Sequence, residues 1–74
     1  MAVTKNVKEE LKRVGLNILI CRRERKMSQA ELAQVTGLSR ALISNMERGK
    51  ANFKIYDLFV IAEGLGINYI ELLR

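Results

Sequence analysis

Apolar positions along the chain recur at the spacing of α-helices. Residues 5–26 read as one long amphipathic helix, whose apolar face carries Leu11, Val14, Ile18 and Cys21 at steps of three and four. Shorter apolar faces predict four further helices, at about residues 29–35, 40–48, 55–65 and 69–73. No strand is predicted, and the absence of proline is in keeping with this. The pattern therefore predicts an all-α fold, a compact five-helix domain that spans residues 1–74.

Helix start and stop residues support these boundaries. Ser28 can cap the second helix together with Glu31, and Ser39 can cap the third. Gly37 permits the positive φ that ends the second helix. The second helix has an apolar face of Leu32, Ala33 and Val35, and the third turns Leu42, Ile43 and Met46 inward. The apolar face of the fourth helix is broader than a monomer usually shows, and it comprises Ile55, Leu58, Phe59, Ile61, Ala62 and Leu65. Gly64 and Gly66 are predicted to end the fourth helix, and Asn68 to cap the last.

Charge and composition limit the classes of function that this chain can have. The formal net charge is +5 and the isoelectric point is about 9.8, which makes nucleic acid the leading candidate partner. A lone cysteine and the absence of histidine argue against an internal disulfide and a zinc site, so no metal and no cofactor are expected. No signal peptide or membrane span is evident, and we expect a cytoplasmic protein. An enzyme is poorly supported, because no nucleophile stands beside a base and no phosphate loop is present.

A series of spaced motifs runs through residues 14–73. The motifs are Gly15-x-x-Ile18-x-x-x-Arg22, Met27-Ser28-Gln29-x-Glu31-Leu32-Ala33, Gly37-Leu38-Ser39, Ile43-Ser44-x-Met46-Glu47-x-Gly49 and Leu58-x-x-Ile61-Ala62-x-x-Leu65. Together they resemble the helix-turn-helix family of phage repressor and Cro proteins, often called XRE-type. The resemblance implies a repressor-like DNA-binding domain with the helix-turn-helix at its second and third helices.

In that family the third helix enters the major groove of double-stranded DNA, and residues near its start contact base edges. The resemblance therefore implies that the bases are read by Arg40, Ala41, Ser44 and Asn45. Arg40 suits guanine, which accepts two hydrogen bonds from a guanidinium, although Arg40 could instead touch only phosphate. Asn45 could bond adenine or face water. Ala41 offers only a methyl group, which leaves more of the recognition to DNA shape.

The resemblance also implies contacts to the DNA backbone. The matching positions are Gln29, Ser39, Arg48, Lys50, Asn52 and Lys54. Gln29 and Ser39 also stand where residues that start a helix would be found anyway. Arg22 and Glu47 match a family pair that forms a partly buried ion pair between the first and third helices, which implies a mainly structural role.

Recognition by one short helix covers too few base pairs to select a genomic site, so we expect a homodimer on a palindromic operator. The candidate dimer interface comprises Phe59, Glu63, Ile67, Tyr69, Ile70 and Leu73. The alternative is that the apolar members of this set close the core.

The first helix carries a second apolar group, formed by Leu16, Leu19 and Ile20. Leu16 and Ile20 fall almost opposite the predicted core stripe, so one core cannot bury both faces. We expect a further contact here, either between dimers on DNA or with the residues before Val7 folded back.

The sequence thus favours a sequence-specific transcriptional regulator that binds DNA as a homodimer. Its small format, with no effector domain after Leu73 and no small-molecule effector evident, resembles the controller proteins of restriction-modification systems. A Cro-like repressor of a phage or mobile element is one alternative. A protein-interaction or antitoxin-like module with the same fold is another.

Overall fold

Four α-helices and one 3-10 helix account for most of residues 4–74, the part of the chain that this computed structural model describes. They are α1 (Thr4–Glu24), α2 (Gln29–Thr36), α3 (Arg40–Glu47), α4 (Ile55–Leu65) and the 3-10 helix (Tyr69–Leu73). The described residues contain no strand. Within them, no helix combines the length and the apolar character needed to cross a membrane. The all-helical prediction is confirmed for this part of the chain.

Two predicted elements differ from the structure. The last predicted helix is a 3-10 helix, capped by Asn68, whose Oδ1 accepts a hydrogen bond from the Ile70 N–H at 2.9 Å. Five residues suffice for such a tight helix, whereas α-helices of this length are marginal. The first helix ends at Glu24 rather than at Lys26, because Lys26 adopts a positive φ of 56° in the turn that leads to α2.

The core lies between all five helical elements. It is formed by Val14, Ile18, Leu32, Ile43, Met46, Leu58, Ile61, Ala62, Leu65 and Leu72. α1 packs against α3 and the 3-10 helix, and α2 packs against α3 and α4. Cys21 packs at the edge of this core as a partly buried residue, and burial raises the pKa of its thiol. Leu11, the first residue of the predicted stripe, is only partly buried.

Val35, predicted to lie on the apolar face of α2, is 59% exposed; in this short helix Leu32 is the residue that is fully buried. Ile55 and Phe59 belong to the broad apolar face predicted for the fourth helix, and both are exposed. Leu72, by contrast, was not predicted to be in the core and is completely buried. The side chain that closes the core beneath the 3-10 helix is therefore one that the sequence pattern did not indicate.

Glycines set two of the helix contacts. A Cβ at Gly15 would collide with the main-chain oxygens of Met46 and Glu47, so α1 passes directly against the end of α3. Gly64 lies inside α4 and does not end it, contrary to the prediction. A Cβ there would approach the side chains of Thr36 and Val35, so this glycine lets α2 and α4 pack closely. Gly66, with a φ of 69°, caps the end of α4.

Polar side chains fasten the 3-10 helix to α1. The Asn17 Nδ2 group donates hydrogen bonds to the main-chain oxygens of Leu72 and Arg74, at 3.1 and 2.9 Å. Arg13 Nη1 donates to the main-chain oxygen of Leu73 at 2.6 Å. These contacts hold the exposed side chains of the 3-10 helix in a fixed position relative to α1.

Candidate nucleic-acid interface

Three short-range hydrogen bonds and one glycine set the ends of α2 and the start of α3. Ser28 Oγ accepts a hydrogen bond from the Glu31 N–H at 3.0 Å, while Glu31 Oε1 accepts one from the Ser28 N–H at 2.8 Å, which confirms the predicted capping box. This bonding lowers the pKa of Glu31. Gly37 follows α2 with a φ of 77°, and Ser39 Oγ accepts a hydrogen bond from the Leu42 N–H at 3.0 Å.

Thr36, predicted to belong to the turn between α2 and α3, also makes hydrogen bonds there that the sequence did not predict. Its hydroxyl donates to the Leu32 carbonyl at 2.7 Å and accepts from the Leu38 N–H at 3.2 Å. A threonine at the end of a helix and beside a glycine was the available signal. The hydroxyl thereby fixes the direction in which the chain leaves α2 and enters α3.

α3 presents one polar face to solvent and one apolar face to the core. Ile43 and Met46 are completely buried, whereas Leu42, predicted to point inward, is only partly buried. The predicted base-reading residues lie on the remaining surface, with Arg40 and Ala41 exposed and Ser44 and Asn45 partly buried. Arg40 at the start of α3 is therefore accessible to solvent, and Ser44 and Asn45 in its middle are partly accessible.

Asn45 has a partner within the protein. Arg48 Nη2 donates a hydrogen bond to Asn45 Oδ1 at 2.7 Å. Arg48 itself caps the end of α3 and is exposed. The bond holds the carbonyl side of the Asn45 amide towards Arg48, and it joins a predicted base reader to a predicted backbone contact.

Arg22 and Glu47 lie together between α1 and α3. Arg22 Nε and Nη2 donate to the two carboxylate oxygens of Glu47 at 2.7 and 3.0 Å, and Arg22 Nη1 donates to the Met27 carbonyl at 2.7 Å. The hydrogen bonds to Glu47 raise the pKa of Arg22. Both side chains are nearly inaccessible to solvent. The pair therefore connects α1, α3 and the turn before α2 in one buried polar cluster.

Gln29 belongs to the same cluster. Its Nε2 group donates to Glu47 Oε1 at 3.0 Å, and the side chain is partly buried. The structure thus places Gln29 against Glu47, at the beginning of α2, and Ser39 in a helix cap at the beginning of α3. Each of these two predicted backbone contacts already makes a hydrogen bond within the protein.

The segment after α3 is basic and exposed. Lys50, Asn52 and Lys54 are all accessible to solvent, and Gly49 before them has a φ of 70°. Part of this segment lines a groove of about 360 Å³, which also includes residues of α1. The groove is lined by Lys8, Leu11, Lys12, Arg48, Gly49, Lys50 and Asn52. Lys8 and Lys12 were not singled out from the sequence, because only the folded chain brings them beside residues 48–52.

The residues predicted to form a dimer interface surround a second, shallow groove of about 330 Å³. It is lined by Phe59, Ala62, Glu63, Ile67, Asn68 and Tyr69. The rings of Phe59 and Tyr69 meet edge to face with centroids 4.9 Å apart. Ile70 and Leu73 are exposed nearby on the 3-10 helix, whereas Ile67 packs partly against the core.

The outer face of α1 carries two exposed large apolar residues. Leu16 is 51% and Ile20 44% exposed, and Leu19 beside them is partly buried. They lie on the side of α1 away from the core residues Val14 and Ile18.

Comparison with known proteins shows which family has this arrangement of helices. A family model described as "Helix-turn-helix" matches residues 18–72, which include α2, α3 and the turn between them. The chain belongs to the helix-turn-helix family. Its polar α3 surface and its buried Arg22–Glu47 pair both lie within the matched residues.

The proteins that resemble this chain include a transcriptional regulator and controller proteins. An uncharacterised HTH-type transcriptional regulator of Sinorhizobium fredii is 36% identical over 61 residues, 82% of this chain and 79% of the relative. The restriction-modification controller protein C.AhdI of Aeromonas hydrophila superposes with a TM-score of 0.84 at 30% identity, over 86% of this chain and 97% of that one. A structure of C.Esp1396I bound to a 19 base pair DNA duplex superposes with a TM-score of 0.78 at 35% identity, over 85% and 88% of the two chains.

Proposed function

We propose that this protein is a sequence-specific transcriptional regulator that binds a palindromic operator as a homodimer. In this proposal α2, the turn at residues 37–39 and α3 form the helix-turn-helix. The observation that carries the proposal is the α3 surface, where Arg40, Ser44 and Asn45 stay accessible while Ile43 and Met46 anchor the helix in the core. The DNA-bound structure of C.Esp1396I, a similar protein, supports the choice of ligand.

The polar face of α3 would contact the base edges. Arg40 would donate two hydrogen bonds to guanine O6 and N7, which is worth about 1–3 kcal/mol of discrimination. Asn45 would bond adenine, with its amide oriented by Arg48. Ser44 can donate or accept, and Ala41 would contact a thymine methyl. Because only these few side chains reach the bases, part of the specificity would come from DNA shape.

Backbone phosphates would be held at both ends of the motif. The polar side chains after α3 are exposed at Lys50, Asn52 and Lys54. None of these side chains is hydrogen-bonded to another described residue; the bond of Lys54 to Asp57 comes from its main-chain N–H. Ser39 and Gln29 would contribute mainly through the start of the helix that each begins, since their side chains are engaged in the protein. Arg48 would approach the same strand from the end of α3.

Dimerisation would use the groove beside α4 and the 3-10 helix. Phe59, Glu63, Ile67 and Tyr69 line this groove, and Ile70 and Leu73 expose further apolar surface on the 3-10 helix. A twofold axis through this surface would place two α3 helices on one face of DNA, about one turn apart. Leu16, Leu19 and Ile20 remain available for contacts between two such dimers on adjacent sites.

The biological role that we propose is that of a restriction-modification controller protein. C.AhdI, which carries that role in its name, is 30% identical and is covered by this chain over 97% of its length. Regulation by such a small dimer would depend on its concentration, because monomers would pair and occupy the operator only as the protein accumulates.

The proposal is tested by selecting binding sites from random DNA duplexes and measuring affinity by fluorescence anisotropy. We expect a palindrome with half-site centres about 34–36 Å apart, and affinity that falls steeply as salt rises. Weak binding without any enriched sequence would contradict the proposal and point to a protein-interaction module.

A pair of variants separates base reading from phosphate contact. Arg40→Ala removes one bidentate contact worth about 1–3 kcal/mol from each half-site, so it should reduce affinity for the selected operator by about 30-fold or more and relax the preference at one position of each half-site. Lys50→Ala removes one charge as well, but it should weaken binding to operator and random DNA equally. Equal losses on both DNAs for Arg40→Ala would reassign Arg40 to a phosphate.

A further inference from the structure

The groove between α1 and the segment after α3 is lined by four cationic side chains. They are Lys8, Lys12, Arg48 and Lys50, and among residues 4–74 no aspartate or glutamate lines the groove with them. All four are exposed, and none of them takes part in an ion pair within residues 4–74. Among them only Arg48 has a side-chain hydrogen bond, to the neutral Asn45. The groove therefore collects positive charge that the described part of the chain does not neutralise.

The backbone brings these cations together. A Cβ on Gly49 would lie 2.6 Å from Lys12 Cγ and 2.8 Å from Lys12 Cα, so the chain after α3 runs directly against α1 at this point. Lys8 and Lys12 are four residues apart on α1 and therefore lie on the same face of the helix. That face continues the surface formed by Arg48, Lys50 and Asn52.

Such an arrangement is suited to an anion with more than one charged group. Two lysines at i and i+4 repel each other on an isolated helix, and two further cations add to that repulsion. The repulsion is relieved when phosphates bind between them. Successive phosphates of a DNA strand offer a row of negative charges along such a surface.

We propose that Lys8 and Lys12 of α1 bind DNA backbone phosphates, which extends the interface beyond the helix-turn-helix to the first helix. This inference rests on the proposed function, because Arg48, Lys50 and Asn52 of the same groove are assigned to the DNA backbone there. The outer strand of the operator half-site would then pass along the groove, with the α1 lysines contacting phosphates next to those held by Lys50.

The test compares single charge removals on operator DNA across a salt series. Lys8→Gln and Lys12→Gln each remove one cation per subunit and keep the Cβ and Cγ methylene groups, including the Cγ of residue 12 that lies against Gly49. Arg25→Gln is the matched control, because Arg25 is an exposed cation just beyond α1 that does not line the groove. Thermal unfolding of all three variants checks that the fold is kept.

Because both subunits of the homodimer carry the substitution, we expect each lysine variant to flatten the plot of log affinity against log salt by about 1.8, so that raising salt from about 50 to about 200 mM costs it about 12-fold less affinity than it costs the wild type. The double variant should flatten the slope by about twice as much, and Arg25→Gln should leave it unchanged. Selected base preferences should not change in any of these variants.

The inference would be overturned if the lysine variants and Arg25→Gln had the same slope of log affinity against log salt on an operator that the wild type still selects. The proposed function would then remain intact. Failure of the wild type to select any sequence would instead overturn the proposed function. Titration with inorganic phosphate at constant ionic strength distinguishes a small-anion site. Saturable shifts of the Lys12 and Gly49 amide resonances, with unchanged DNA slopes in the lysine variants, would overturn the assignment to DNA.

Discussion

Arg22 and Glu47 join α1 to α3 through two parallel hydrogen bonds of 2.7 and 3.0 Å, with both side chains almost fully buried. A bidentate pair of this kind fixes the angle between the two helices as well as their separation. Since α3 is the proposed recognition helix, the pair sets how that helix is presented to DNA.

Removal of one partner should destabilise the fold strongly. Glu47→Ala leaves the Arg22 guanidinium buried with only the Met27 carbonyl as a partner, and we expect a loss of about 3 kcal/mol in the free energy of unfolding, measured with urea. Glu71→Ala is the control, because it breaks the exposed pair with Arg74 and should cost less than about 1 kcal/mol. Equal losses in the two variants would show that burial adds nothing to the Arg22–Glu47 pair.

Gly15→Ala should also destabilise the protein, although alanine favours helices by about 1 kcal/mol over glycine. The added Cβ would meet the main chain of Met46 and Glu47, which cannot move aside without shifting α3, and we expect a net loss of about 2 kcal/mol. Gly64→Ala provides a comparison, since its Cβ would meet the side chains of Thr36 and Val35 at 2.8 and 3.2 Å rather than main-chain atoms, and it should cost less than Gly15→Ala. An increase in the melting temperature of Gly15→Ala would contradict the close contact between α1 and α3.

The proposed dimer surface can be tested by adding a charge to it. Ile70→Glu places a carboxylate on the 3-10 helix, where Ile70 is 53% exposed, and sedimentation should then show a folded monomer. Ile55→Glu adds the same charge at a residue that is 62% exposed outside the proposed interface, and it should leave the dimer unchanged. Dimers of normal stability in Ile70→Glu would place the interface elsewhere.

Acid should weaken the start of α2 through Glu31. The pKa of Glu31 lies below its ordinary value of 4.5, chiefly because its carboxylate accepts the hydrogen bond of the Ser28 N–H. The unfolded chain therefore takes up this proton first, so the stabilisation is complete above about pH 4.5 and disappears as the pH falls through the lower folded pKa. In urea unfolding between pH 6 and 3, wild type should lose stability relative to Glu31→Gln; parallel curves would show that the charge of Glu31 contributes nothing to the capping box.

Local features of the sequence predicted the helices well. Ser28, Glu31 and Gly37 act on residues only a few positions away, so their roles as helix caps followed from spacing alone. The same periodicity failed for Val35 and missed Leu72, because burial at the edge of a short helix or in a 3-10 helix depends on which other element covers it.

The geometry of the candidate site was predictable only in part. The Arg22–Glu47 contact was implied by family resemblance, not by periodicity, since 25 residues separate its partners. The partner of Gln29 and the position of Lys12 against Gly49 depend on how α1, α2 and α3 pack, which no local pattern specifies. The assignments of base readers, phosphate contacts and dimer residues remain predictions until they are measured.

The hydrogen bonds from Asn17 to Leu72 and Arg74 have a consequence for cooperativity. A 3-10 helix of five residues has no stability of its own, so its exposed apolar side chains keep their positions only while α1 is folded. The proposed self-association surface and the first helix therefore form one cooperative unit. A partly unfolded chain in which α1 has frayed would also lose this surface, so only natively folded monomers could dimerise.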